Sequence, residues 1–151
     1  MSKKSKQKVF NEFYPVAVSA FQQEDSHLFR EDVFNHIFCT KKIVLVFGQS
    51  SDLYGRNKSA GIAFCSFLNE ASFTYIEGIA VRKSLQNSGI GRLILKEIQQ
   101  QYGSIMVART QNPAIVALFF RVFKRVTPIP LKPTQVEREI SLEIAKKLGM
   151  K

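Results

Sequence analysis

Residues 76–92 read IEGIAVRKSLQNSGIGR, and the fold turns on how they are parsed. An apolar segment, Ile79, Ala80 and Val81, runs into the polar loop 82–88. Gly89 and Gly91 then open a stretch with Ile90, Leu93, Ile94 and Ile98 at helical spacing. Strand, glycine-bearing loop and helix start therefore follow in that order. The first N–H groups of a helix have no intrahelical partner and carry partial positive charge. Glycines let a ligand approach that backbone, so residues 86–92 form a candidate anion cradle suited to a pyrophosphate. Arg82, Lys83 and Arg92 would add charge at its rim. The same glycines would equally serve a tight turn made for packing alone, because short glycine patterns recur by chance.

Working outward, residues 60–68 and 73–81 are strands joined by an Asn-Glu-Ala turn, which makes a hairpin. The continuously apolar 43–48 is another strand, and polar 49–59 reads as a loop. Residues 9–18 read as a first strand with an irregular start. Ser26 caps a helix running to about Phe38, with Leu28, Phe29, Val33, Ile37 and Phe38 near one face. After the 89–102 region, 104–110 is a short strand. Asn112 and Pro113 supply a cap and a proline at the first helical position for a helix carrying Ile115, Leu118, Phe119, Val122 and Phe123. Three prolines in 127–133 argue against a central strand there. Thr134 and Glu137 form a capping box for a last helix with an apolar stripe, Val136, Ile140, Ile144 and Leu148, and Gly149 to end it.

A chain of 151 residues with 45% hydrophobic and 23% charged side chains has the composition of one globular domain. No apolar run approaches the roughly 20 residues of a membrane helix, and the lysine-rich start is not followed by a signal-type apolar stretch. The net charge of +10 is carried as +4 in residues 1–8, +1 in 9–120 and +5 in 121–151. The organisation expected is a basic flexible tail (1–8), a core (9–125), and a Pro-rich connector with a C-terminal helix (126–151) that packs on the core or on a partner subunit. The basic ends either aid solubility or attract phosphate-rich partners, nucleic acid among them. Cys39 and Cys65 lie in apolar segments without metal-ligand spacing, which points to buried thiols in a reducing cytoplasm and to no metal.

The order of elements, with Gln86, Gly89 and Gly91 as Q-x-x-G-x-G and Ile79-Ala80-Val81 before it, resembles the GNAT superfamily of acyl-CoA-dependent N-acetyltransferases. Asn112 after the fifth strand and Ala117-Leu118 in the next helix fit the same pattern. The resemblance covers about residues 9–125. It implies an α/β (α+β) GNAT fold: a mixed central sheet, flanked by helices, whose fourth and fifth strands splay apart. Pantetheine would lie in that gap against the backbone of Ile79, Ala80 and Val81. The pyrophosphate would sit on Gln86, Asn87, Ser88, Gly89, Ile90, Gly91 and Arg92, with Asn112 nearby. Val81 backbone would polarise the thioester carbonyl. Glu77, four residues before Val81, would be the base that neutralises the acceptor amine; an exposed glutamate paired with an arginine is the alternative. His27 and His36 are weaker candidates.

Two departures stand out. Phe119 occupies the position, seven residues after Asn112, where many members carry a tyrosine that protonates the CoA thiolate. A capped helix also stands in place of the usual final hairpin, covering the sheet edge within the chain or across a homodimer. The function implied is acetyl transfer from acetyl-CoA to a primary amine by direct attack in a ternary complex. The basic ends favour an acidic or phosphate-bearing acceptor over a polycation. The alternative is a catalytically weak or inactive acyl-CoA-binding module, acting as a sensor or complex partner.

Overall fold

The computed structural model describes residues 2–38, 42–51, 57–70, 73–103, 105–108, 110, 112–126 and 134–147. Its first element corrects the sequence reading. Ser2 Oγ accepts the Ser5 N–H at 3.2 Å, and α1 runs from Lys3 to Phe21, so 9–18 is helix rather than strand. Lys3–Lys8, within the basic segment 1–8 expected as a flexible tail, form the first turns of this helix. The buried residues Phe10, Phe13, Tyr14, Val16 and Ala17 recur at helical spacing, and exposed Pro15 interrupts neither the stripe nor the helix. Gln22, left-handed at φ 53°, ends it. α2 (His27–Phe38) follows, with Ser26 Oγ accepting the Phe29 N–H as its cap. Val33 and Ile37 are buried there, but Leu28 is exposed.

β1 (Lys42–Ser51), β2 (Asn57–Asn69) and β3 (Thr74–Val81) form an antiparallel meander. β1 and β2 reach into the polar segment read as a loop over 49–59, because backbone pairing continues to Ser51↔Asn57. β4 (Met106–Ala108) lies parallel to β3 at the end of the order β1-β2-β3-β4. Alternating side chains feed two cores. Ile43, Leu45, Phe64 and Ala80 meet α1 and α2. Val44, Val46, Ala63, Cys65, Phe67, Ile76 and Ile79 meet α3 (Ile90–Tyr102) and α4 (Pro113–Val122). Burial on both faces explains why these strands read as continuous apolar runs. Leu93, placed by its spacing on the apolar side of α3, is exposed.

Two bulges break the ladder. Ile62 is the extra residue of β2 opposite Val46 and Phe47, and Glu77 is the extra residue of β3 opposite Ser66 and Phe67. α5 (Gln135–Lys147) sets Ile140 against Phe73, flanked by Tyr75 and Val107, while Val136 of the expected stripe is exposed. The readings made for Cys39, for 127–133, and for Leu148 and Gly149 lie outside the described residues, as do the side chains of Glu137 and Ile144.

Candidate active site

β3 and β4 pair at Thr74↔Met106, Tyr75↔Val107 and Ile76↔Ala108, and among the described residues the pairing ends there. β3 continues for five residues beyond it, to Val81. The fourth and fifth strands of the sequence reading thus part company at Glu77. The Arg82 N–H donates to Ile62 O at 2.9 Å, toward β2. Peptide groups alternate between the two edges of a strand, so those of Ile79 and Val81 face the open side, where β4 has ended. By the same alternation Ala80 turns its peptide groups to Phe64 of β2, and its methyl is buried among α1 and α2. Ala80, expected to touch the cofactor, is therefore a wall of the core.

Past Val81 the chain makes one 3-10 turn, Lys83–Leu85, and reaches α3 through residues 86–89. This loop is fastened to the end of α1. Lys83 donates its N–H to Ser19 Oγ at 2.9 Å, and Gln86 Nε2 donates to Val81 O at 3.2 Å and to Ala20 O at 3.4 Å. Ser19 and Ala20 escaped the sequence reading because their segment was not recognised as helix. Their only signal was the spacing of 9–17. The Gln86 and Ser88 N–H groups are spent inside the turn, on Lys83 O and Leu85 O, and Ser88 Oγ also donates to Leu85 O. They leave the expected cradle for that reason.

The remaining amides are open. Asn87 (φ 66°) and Gly89 (φ 91°) are left-handed, and Gly89 caps α3. The first intrahelical bond runs from Leu93 N–H to Gly89 O at 3.0 Å. Among the described residues, no acceptor is recorded for the N–H groups of Asn87, Gly89, Ile90, Gly91 and Arg92. A Cβ on Gly89 would meet nothing within 4 Å, whereas one on Gly91 would stand 3.2 Å from Leu118 Cδ2 and 3.8 Å from Ile79 Cδ1. Gly89 thus borders open space, and Gly91 lets α3 close onto α4 and β3. Of the expected rim charges, Arg92 and Lys83 are exposed. Arg82 instead turns back, Nη2 donating to Gly61 O at 2.9 Å. Asn112 uses its carboxamide oxygen on the Ala114 N–H of its own helix. Phe119 is buried beside Phe123, with ring centroids 5.3 Å apart.

On the other face of β3, the bulge sets Glu77 beside Gly78. Glu77 Oε2 is shut off from solvent and has no hydrogen-bond partner among the described residues. Burial raises its carboxyl above the usual range, and the nearby His36 charge partly offsets the rise. Leaving a buried acceptor unmatched costs about 1–3 kcal/mol. No group of three or more His, Cys, Asp or Glu among the described residues is placed to hold a metal ion.

Among the described residues, β3 thus has an unpaired C-terminal edge and runs into a loop of open amides at a helix start. The acetyltransferase (GNAT) family model matches residues 7–119, and the chain belongs to that family. Solved structures with the same fold include an aminoglycoside antibiotic 6'-N-acetyltransferase from Acinetobacter haemolyticus, 13% identical, covering 89% of this chain and 94% of that one with a TM-score of 0.51. An aminoglycoside N-acetyltransferase in complex with CoA is 10% identical, with coverages of 85% and 90% and a TM-score of 0.53. The ribosomal-protein-alanine N-acetyltransferase from Brucella melitensis biovar Abortus 2308 is 14% identical, with coverages of 84% and 94% and a TM-score of 0.53. No curated protein matches the chain by sequence.

Proposed function

We propose that the chain transfers an acetyl group from acetyl-CoA to a primary amine by direct attack, without a covalent enzyme intermediate. One observation carries this reading: among the described residues, the amides of Asn87 and residues 89–92 are open, and they follow directly on a strand whose backbone edge at Ile79 and at the Val81 N–H has no strand partner. The amides would take the diphosphate of CoA, with Arg92 at the rim. The Ile79 and Val81 peptide groups would hold the pantetheine amides, and Val81 backbone would bond the thioester oxygen as negative charge develops on it. CoA bound to one structural neighbour supports this assignment.

Glu77 is the base in this reading. An acceptor enters as an ammonium and gives one proton to the Glu77 carboxylate, which passes it to water. The freed nitrogen lone pair forms the C–N bond and the C–S bond breaks. A second proton leaves the nitrogen and ends on the CoA sulfur. Phe119 offers no proton for that last transfer, so a water must carry it. The buried ring also favours a second reading, in which the chain holds acyl-CoA and transfers slowly or not at all.

The free, buried Cys65 thiol suits a reducing compartment, and we place the protein in the cytoplasm. α5 takes the role of edge cover through Ile140, with 126–151 as an appendage of the core in one chain. Thermal melts with and without acetyl-CoA test the binding half of the proposal, the expected result being a raised Tm. Thiol release with a panel holding an aminoglycoside, a polyamine and an alanine-terminated peptide tests the transfer half. Release that depends on the amine supports transfer; a raised Tm without release selects the binding module; an unmoved Tm removes both.

A further inference from the structure

Gly78 has no side chain, and two polar groups from elsewhere occupy its neighbourhood. His36, carried by α2, lies over it: Cδ2 and Nε2 stand 3.1 Å and 3.7 Å from the place a Cβ would take. Ser66 Oγ stands 3.4 Å from the same point; Ser66 is 0% exposed and its hydroxyl has no partner among the described residues. Glu77, displaced by the bulge, is the neighbour of Gly78 on β3, and its Oε2 is a second buried oxygen with no partner among the described residues. The imidazole is held from behind, Nδ1 lying 3.0 Å from Asp32 O and 3.5 Å from Asp32 Oδ1. Any larger residue at 78 would push the ring away, and without the bulge Glu77 would not share this side with Gly78.

Resting on the acetyltransferase reading, we propose that His36 is the positioning residue for Glu77: braced by Asp32, its ring covers Gly78 and holds in place the carboxylate that receives the acceptor's proton. In its cationic form the ring would favour the Glu77 carboxylate over the neutral acid that burial favours. The acceptor's ammonium would complete the bond that Glu77 Oε2 lacks. Two further carboxylates, Glu12 of α1 and Asp25 between α1 and α2, are matched elsewhere. Glu12 accepts the Gly61 N–H at 2.7 Å, and Asp25 pairs with Arg30 and accepts the Tyr14 hydroxyl proton. His36 stands over the strand position next to Glu77, and Asp32 is the carboxylate beside His36 on its own helix.

The test needs no acceptor. Glutamate labelled with 13C at the carboxyl is incorporated, the Glu77 signal is assigned by its loss in Glu77→Gln, and its titration is followed in the native chain and in His36→Gln. The proposal expects the Glu77 midpoint to rise in His36→Gln by about half a pH unit or more. The acetyl-CoA melt shift should stay unchanged, and the acid limb of amine-dependent thiol release should move to higher pH at constant KM for acetyl-CoA. Gly78→Ala, which displaces the ring without removing it, should move the Glu77 midpoint in the same direction and covers a folding failure of His36→Gln. An unmoved Glu77 titration in the folded variants overturns the role of His36. Loss of the acetyl-CoA melt shift in the native chain overturns the acetyltransferase reading instead, and the titration still decides on His36.

Discussion

Gln86 Nε2 donates to the Val81 carbonyl at 3.2 Å, and the same nitrogen lies 3.4 Å from Ala20 O. One side chain therefore ties together the end of β3, the end of α1 and the loop of open amides. In the proposed reading, the glutamine of the Q-x-x-G-x-G pattern would clamp the cradle through its side chain. Gln86→Ala should cost about 0.5–1.5 kcal/mol of stability, the net worth of one exposed hydrogen bond. Its effect on CoA should be larger than that implies, because the loop loses its fixed position: an affinity about 3–10-fold weaker, since each 1.4 kcal/mol of lost preorganisation is tenfold. Urea melts and calorimetric CoA titration read the two effects separately. Native CoA affinity in this variant would show that the clamp does not shape the cradle.

The two glycines of the motif have different duties, and alanine at each should separate them. At Gly89 a methyl meets no atom, but φ 91° strains any L residue, so Gly89→Ala should lose about 1–2 kcal/mol. Gly89→Glu should lose a similar amount of stability and, by placing bulk and negative charge before the open amides, all detectable CoA binding. At Gly91 the φ is helical and the methyl presses on Leu118 Cδ2, the movable end of a side chain. The helix-propensity gain of about 0.8–1.0 kcal/mol opposes that contact, and Gly91→Ala should keep near-native stability. Paired melts and CoA titrations of the three variants check this. A Gly89→Glu protein that still binds CoA would move the diphosphate elsewhere.

Much of this arrangement was legible in residues 76–92, because a strand, a glycine-bearing turn and a helix start are each written locally. The α3 and α4 boundaries follow from Gly89, Asn112 and Pro113 in the same way. The first element was not recovered: Val9, Phe10, Tyr14 and Val16 are β-branched or aromatic and Pro15 sits among them, so local propensity pointed to strand while the buried stripe obeyed the helical period. The bulge at Glu77 had no local signal, since it arises from register between β2 and β3. The fastening of Lys83 and Gln86 to Ser19 and Ala20 spans more than 60 positions of sequence and required the tertiary fold. His36 could be seen as a histidine on a helix, but its seat over Gly78 depends on where α2 crosses the sheet.

Glu77 gives a pH signature with a definite sign. Burial raises its folded-state carboxyl above the ordinary value of 4.5, and the unfolded chain has no such penalty. Between these two values the native state binds more protons than the unfolded state, so stability falls as pH rises through that window. Glu77→Gln removes the ionising group. It should stabilise the chain at neutral pH, leave it unchanged well below pH 4.5, and slow amine-dependent thiol release while preserving the acetyl-CoA melt shift. Urea melts across pH 3.5–7.5 read the first two effects. A variant that is less stable than the native chain at pH 7, or that turns over at the native rate at every pH, would remove Glu77 from the mechanism.

Cys65 tests the second core in a manner independent of catalysis. Its side chain is fully buried among Ala63, Phe67, Ile76, Ile94, Leu95 and Ile98, and burial pushes its thiol up to about 12 from an ordinary 9.0. A thiol so placed is protonated and shielded at neutral pH, and only the thiolate attacks a disulfide reagent. In a Cys39→Ser background the native chain should not react with such a reagent at pH 7.5, and labelling should proceed only as fast as the chain opens. The linkage has the same sign as for Glu77: above pH 9.0 the unfolded chain sheds the proton that the native core retains, and stability declines from there toward pH 12. Rapid labelling of the folded protein would mean that β2 and α3 do not seal this core. The open edge of β3, whose Ile76 and Ile79 pack in this core, would then lose its rigid support.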